Sequence, residues 1–126
     1  CVFGAPGERD RHLRSHLGGV AAKYADRLII TDDNPARENS EVIVDGILDG
    51  IAGKVDLTVE LDRASAIEIA LSQAEVGDCV LIAGRGHQSW QRVGNRRFPF
   101  DDREVARGCL HAGRWGISAG GERHAA

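Results

Sequence analysis

The chain has 126 residues and a hydrophobic content of 42%, enough for one globular domain whose core needs no disulfide or metal staple. Its formal net charge of −3 argues against a general nucleic-acid binder, which carries a basic face. No run approaches the roughly 18 apolar residues of a membrane span, and no signal peptide is visible, so a cytoplasmic location is expected.

Val2-Phe3-Gly4 reads as a short buried strand. The chain opens directly in it, so the sequence reads as part of something longer. A loop through Asp10 leads to a helix predicted from about Arg11 to Ala25, with Leu13, Leu17, Val20, Ala21 and Tyr24 on one apolar stripe. Gly18-Gly19 weakens that helix by about 1 kcal/mol per glycine and is expected to allow close packing on the sheet. Leu28-Ile29-Ile30-Thr31 is the second strand. It must stop at Asp32-Asp33-Asn34-Pro35, because proline lacks an N–H and restricts the residue before it. Ser40 is the expected cap of the next helix, which buries Val44, Ile47, Leu48 and Ile51 and has Gly53 after its end. Val55 to Glu60 alternates as a strand with one covered face. Asp62 caps a third helix carrying Ala66, Ile67, Ala70, Leu71 and Ala74. After a turn at Gly77-Asp78, the all-apolar run Cys79-Val80-Leu81-Ile82-Ala83 predicts a parallel strand covered on both faces. Cys79 is then a small core residue. With Cys1 and Cys109 it shows no metal-ligand spacing, which suits a reducing compartment.

This βαβαβαβ order predicts a doubly wound, mostly parallel sheet. The end differs. Ser89 to Val93 and Arg96 to Phe100 flank Gly94-Asn95, the signal of an antiparallel hairpin. Asp101 or Asp102 then starts a last helix with Val105, Ala106, Cys109 and Leu110 apolar. The expected domain is 1–117. The stretch 118–126 has no pattern and reads as a disordered tail.

Three loops follow apolar strands, at the edge where open α/β sheets bind ligands. The first, Ala5-Pro6-Gly7-Glu8-Arg9-Asp10, sets Arg9 and Arg11 beside a helix start. It reads either as a phosphate or carboxylate site or as a plain connection with solvated charges. Asp10 orients an arginine or caps the helix. The second supplies Asp32, Asp33, Asn34, Arg37 and Glu38. Asn34 suits the carboxylate and amine of an amino acid, or it shapes an Asx turn before Pro35. The third, Gly84-Arg85-Gly86-His87-Gln88, lets a ligand approach the backbone, with Arg85, His87 and Gln88 expected to point outward. His87 is a proton shuttle or a hydrogen-bonded structural residue. Asp101, Asp102 and Glu104 read as a helix cap and favourable charge at a helix start. The only lysines are Lys23 and Lys54; the arginine excess either serves bidentate anion binding or reflects a GC-rich genome. With no nucleoside triphosphate motif and no nucleophile paired to a base, the chain reads as one wall of a cleft.

Taken together, in this order, the loops resemble the C-terminal domain of the Mur ligases. Within that family they are most similar to the UDP-N-acetylmuramoyl-tripeptide synthetases. The segments carrying the resemblance are Val2-Phe3-Gly4 with Gly7-Glu8-Arg9-Asp10, Thr31-Asp32-Asp33-Asn34-Pro35, Asp62-Arg63-Ala64, Gly77-Asp78 with Val80-Leu81-Ile82-Ala83-Gly84, Gly86-His87, and Phe100-Asp101-Asp102-Arg103-Glu104-Val105-Ala106. They span about residues 1 to 110. The resemblance implies a Rossmann-like three-layer α/β sandwich that closes over a central ATPase domain. It implies a cell-wall ligase that adds meso-diaminopimelate to UDP-MurNAc-L-Ala-D-Glu through an acyl phosphate. ATP and Mg²⁺ would be bound mainly by the absent central domain, and the fragment alone would be inactive. Carried over by position, Arg9 and Asn34 would hold the amino acid's carboxylate end, and Gly84 and Gln88 would meet the far end of its side chain.

Two positions depart from the family pattern. Ala36 stands where diaminopimelate-adding enzymes have arginine after Asp-Asn-Pro, and Arg37 would have to turn inward to substitute. Arg85-Gly86-His87-Gln88 replaces Lys-Gly-His-Glu, so Gln88 puts a neutral amide where a carboxylate is expected, a change worth about 1 kcal/mol or more. The basic stretch after the first loop is altered as well, to Arg11-His12-Leu13-Arg14. The alternatives are a lysine-adding ligase, which can carry alanine after Asp-Asn-Pro, or a non-catalytic binding module that kept the scaffold. Asp-Asn-Pro speaks against a ligase of the folylpolyglutamate or cyanophycin type.

Overall fold

The computed structural model describes residues 1–112. The end of the expected 1–117 domain and the predicted tail 118–126 lie outside the described residues. Three short strands, β1 (Val2–Phe3), β2 (Arg27–Ile30) and β3 (Asp56–Val59), form a parallel sheet in the order β1-β2-β3. Ile82 bridges Val2 in parallel on the free side of β1. The spatial order is thus β3, β2, β1, then the Ile82 segment. This is the order of a doubly wound sheet, and its switch point falls between β1 and Ile82.

The period-two alternation of strands sorts the apolar residues onto two faces. Phe3, Leu28 and Ile30 pack with Ile43, Val44 and Ile47 of α2 (Ser40–Leu48) and with Ala21 and Ala22 of α1 (Arg14–Tyr24). Val2 and Ile29 pack with Ala66 and Ile67 of α3 (Arg63–Gln73) and with Val105 and Ala106 of α4 (Asp102–His111). The result is the three-layer, Rossmann-like sandwich: two helices, the sheet, two helices. The hairpin also forms, with β4 (Trp90–Val93) antiparallel to β5 (Arg96–Pro99) and Gly94 taking a φ of 63° at the turn. A left-handed φ at that position suits glycine. Among the described residues no helix is long and apolar enough to cross a membrane.

Two expected caps move or hold for local reasons. Asp62 accepts from the Ser65 N–H at 2.9 Å and caps α3 as predicted. Asn39 rather than Ser40 caps α2, accepting from the Glu41 N–H at 2.7 Å, while the Ser40 hydroxyl donates to Asp32 at 3.0 Å.

The run 79–83 departs from the reading as a strand buried on both faces. Only Ile82 is bridged, through Val2 N–H to the Leu81 carbonyl (2.8 Å) and Ala83 N–H to the Val2 carbonyl (2.9 Å). Cys79 is exposed, not core, and Leu81 is 58% exposed. This segment lies at the sheet's edge beside an open groove of about 1060 Å³.

The apolar stripe predicted on the first helix shares a face but is largely uncovered. Residues 11–13 form a single 3₁₀ turn, and Leu13, Leu17, Val20 and Tyr24 are exposed. Leu17, Val20 and Tyr24 line the same groove. The buried residues of α1 are Arg14 and Gly18. Gly18 allows close packing on α2, not on the sheet: a Cβ there would lie 2.1 Å from the Ile47 carbonyl oxygen. Gly18→Ala should therefore lower stability by about 1–3 kcal/mol, seen as a lower denaturant midpoint at unchanged slope. Helix propensity alone predicts a gain of about 1 kcal/mol, so the sign of the shift decides which effect wins.

Candidate functional site

At the carboxyl ends of β1, β2 and the Ile82 segment lies a cavity of about 650 Å³, a size suited to a small ligand. The first loop contributes Pro6, Gly7 and Arg9, and the second Asp33, Asn34 and Ala36. Gly84, His87 and Gln88 come from the third, and Trp90, Arg92 and Arg97 from the hairpin.

Glycine is what lets the first two loops stack. A Cβ at Gly4 would lie 2.0 Å from the Thr31 carbonyl oxygen, and one at Gly7 would lie 1.9 Å from that of Pro35. The Gly7 N–H instead donates to the Asn34 carbonyl at 2.8 Å. Glu38 then clamps the two loops together. Its carboxylate accepts from both terminal nitrogens of Arg14, at 2.7 and 2.8 Å, and from the Glu8 N–H at 2.8 Å. Arg14 also donates to the Pro6 carbonyl at 3.1 Å. The Arg14 bonds first, and the Glu8 N–H second, hold the Glu38 carboxyl down at about 2.

The third loop is fastened from below. Arg63 donates to both oxygens of Asp102 (2.8 and 2.9 Å), to the Asp32 carbonyl (2.9 Å) and to the Ala83 carbonyl (3.0 Å). It thereby ties the ends of β2 and the Ile82 segment to α4. Arg85 donates to Asp102 at 3.2 Å and to the carbonyls of Phe100 and Trp90. Its guanidinium also lies 5.0 Å from the centre of the Phe100 ring. The expectation that Arg85 points outward is thus corrected. It is 2% exposed and holds the hairpin down. Asp102 is likewise not a simple charge at a helix start. Asp101 is the cap, accepting from the Arg103 N–H at 2.9 Å, and Asp102 is the shared partner of two buried arginines. Asp33, 4% exposed, lines the cavity beside this cluster. Burial pushes its carboxyl up, with Arg63 and Arg85 pulling the other way.

Of the residues the sequence singled out, Arg9, Asn34, Ala36, Gly84 and Gln88 line this one cavity. Asn34 does not form the Asx turn that was its alternative. Its amide nitrogen donates to Gln88 at 2.9 Å and its oxygen accepts from the Arg92 N–H at 2.8 Å. Gly84 takes a φ of 103°, and a Cβ there would lie 3.0 Å from an Asp33 carboxylate oxygen. Arg37 does not turn inward. Its N–H and guanidinium face Glu8, at 2.6 and 3.5 Å, because Ala36 before it is held at a φ of 54° and pinned to the hairpin through Arg92 and Gly94. Asp10 pairs with Arg9 at 3.3 Å and makes no side-chain cap. Among the described residues, no three His, Cys, Asp or Glu side chains gather as a metal site.

The cavity residues that the sequence reading missed are Trp90, Arg92 and Arg97. The Ala36–Val93 bridge and a bond from the Gln91 amide to the Asp33 carbonyl (2.8 Å) lay the hairpin over the second loop. A usable signal was present. With a two-residue turn, Trp90, Arg92 and Arg97 must share one face of the hairpin.

The family model described as "Mur ligase, glutamate ligase domain" matches residues 1–86. A UDP-N-acetylmuramoyl-L-alanyl-D-glutamate–2,6-diaminopimelate ligase of Gloeobacter violaceus is 51% identical over 110 residues, 87% of this chain and 22% of that protein. A ligase of the same name from Prochlorococcus marinus is 47% identical over 111 residues, 88% of this chain and 22% of its own length. A solved structure of such a ligase superposes with a TM-score of 0.85 at 36% identity, covering 89% of this chain and 23% of that one. The chain thus spans less than a quarter of the relatives it matches.

Proposed function

The chain belongs to the Mur ligase family, and from that premise we propose that it is the amino-acid-recognising domain of a longer, ATP-dependent cytoplasmic ligase that joins meso-diaminopimelate to UDP-MurNAc-L-Ala-D-Glu. The observation that carries the reading is the convergence of Arg9, Asn34, Gly84 and Gln88 on one cavity at the switch point of the sheet. Arg9 is free of the core, with 71% of its side chain exposed, and can meet a carboxylate. The Asn34 amide keeps one N–H beyond its bond to Gln88 and can add a neutral donor. Gly84 brings backbone to the cavity wall without a side chain in the way.

ATP, with Mg²⁺, supplies the phosphoryl group that activates the acceptor's glutamate carboxylate. The described residues do not fit that pair, having no cluster of metal-ligating side chains and no phosphate-binding loop motif, so both are assigned to the remainder of the ligase. This domain's part is to orient the diamino acid so that one amine faces the activated carbonyl. The C–N bond forms, phosphate leaves, and the amine gives up a proton.

The test is amino-acid-dependent phosphate release by the full-length ligase, with meso-diaminopimelate, lysine and ornithine compared. Turnover with meso-diaminopimelate at an efficiency at least about tenfold above that with the others is expected, and the 126-residue chain alone should release none. Preference for lysine would replace the reading by its lysine-adding alternative. Silence with all three would favour a binding module.

A further inference from the structure

Arg92 and Arg97 are directly opposed across the β4–β5 pair, on the face that lines the cavity. Like charges in register across two strands are destabilising, and the hairpin carries no acidic side chain to offset them. Among the described residues neither forms an ion pair; Arg97 lies 4.9 Å from the centre of the Trp90 ring. The nearby Glu8 is engaged by Arg37, through its N–H at 2.6 Å and its guanidinium at 3.5 Å, while the Arg92 charge reaches it only at longer range. Arg9 adds a third guanidinium to the cavity, and Asp33 is the one carboxylate among its lining residues. Ala36 contributes no charge and Arg37 is turned away. Two opposed guanidiniums without a carboxylate partner on a cavity wall make a site for an anion, and arginine is suited to carboxylate.

We infer that Arg92 and Arg97 form a second carboxylate subsite, separate from Arg9, which selects an incoming amino acid carrying two carboxylates over one with a net positive charge. The inference rests on the function proposed above and names the residues that set its specificity. Diaminopimelate would put one carboxylate on Arg9 and the other between Arg92 and Arg97. Lysine, lacking the second carboxylate, would leave Arg92 and Arg97 without an anion beside an ammonium that no distal carboxylate balances.

The structural role of Arg92 lies in its backbone, whose N–H donates to Asn34 and whose carbonyl accepts from Ala36. Its exposed side chain can therefore be changed with the hairpin kept. In the full-length ligase, Arg92→Ala and Arg92→Ala/Arg97→Ala should raise KM for meso-diaminopimelate roughly tenfold to a hundredfold, the range for losing a charged hydrogen bond. KM for ATP should stay within about twofold, the ratio of kcat/KM for meso-diaminopimelate over lysine should fall with the first effect, and Arg92→Lys should recover part of it. Arg92→Gln, read the same way, decides the matter if the alanine variants melt below the assay temperature. A KM for meso-diaminopimelate within about twofold of wild type in the folded variants would overturn the subsite while wild-type turnover stands. Wild-type enzyme that ignores meso-diaminopimelate would overturn the function itself, and the subsite with it.

Discussion

Asp102→Ala should destabilise the domain by about 3–5 kcal/mol, the range for removing one partner of a buried ion pair. Asp102 is 5% exposed and accepts from Arg63 twice and from Arg85 once, and both arginines are essentially fully buried. Without it, two guanidiniums remain in the interior with only the carboxyls of Asp33 and Asp32 nearby, both pushed up by burial. The comparison that isolates the effect is Asp101→Ala, one residue away. Asp101 caps the same helix and pairs with the exposed Arg103 at 2.7 Å. Its removal should cost no more than the loss of an ordinary N-cap. Urea midpoints measured on both variants would separate the two cases. A shift for Asp102→Ala no larger than that for Asp101→Ala would mean that the buried cluster contributes nothing beyond a cap. The cluster also bears on the cavity, since Arg63 bonds the Asp32 carbonyl at the start of the second loop and the Ala83 carbonyl just before the third.

What could be read from the sequence was what depends on local chemistry and simple period. Leu28-Ile29-Ile30 reads as a strand, and the structure sends Leu28 and Ile30 to one helix layer and Ile29 to the other. Asp62 before a helical pattern and Gly94-Asn95 between two short runs are signals with a fixed geometric meaning, and both hold. Helix α1 misled because period reports which residues share a face, not which face is covered. The stripe Leu17, Val20, Tyr24 was correctly grouped, yet α1 buries Gly18 and Arg14. The burial of Arg14, Arg63 and Arg85 escaped the sequence for a related reason. A charged side chain is assigned to the surface by default, and only a partner distant in sequence makes its burial tolerable. Those partners are Glu38, 24 residues from Arg14, and Asp102, 39 residues from Arg63 and 17 from Arg85. In the cavity, the loops at strand ends were legible from the rule that ligands meet the carboxyl edge of a parallel sheet. The hairpin's shared face was readable from its turn and alternation, but its place in the cavity was not, because nothing local says that β4 will lie against Ala36.

The other large effect expected is at Glu38. Arg14 is 3% exposed and its Nε already has no partner, so its two bonds to Glu38 and one to Pro6 satisfy what remains of a buried guanidinium. Glu38→Ala should therefore cost about 3 kcal/mol or more near neutral pH, and it should part the first loop from the second by removing the acceptor of the Glu8 N–H. The pH dependence gives a signature that simple loss of packing would not. The Glu38 carboxyl titrates at about 2 in the folded chain against an ordinary 4.5, chiefly because of Arg14. A carboxyl depressed by folding stabilises fully above its unfolded value and loses that contribution as pH falls through the folded one. The stability difference between wild type and Glu38→Ala should hold constant above about pH 5, shrink through about pH 4 and 3, and level off near about pH 2. Taking the difference removes the carboxylates common to both proteins, Asp101 among them, whose own depressed value otherwise adds to acid unfolding in the same window. Unfolding free energies at about pH 7, 4 and 2.5 suffice to draw the curve. A difference that stays flat across them would leave Glu38 as a space-filling residue and deny it the role of an ionic clamp between the two loops.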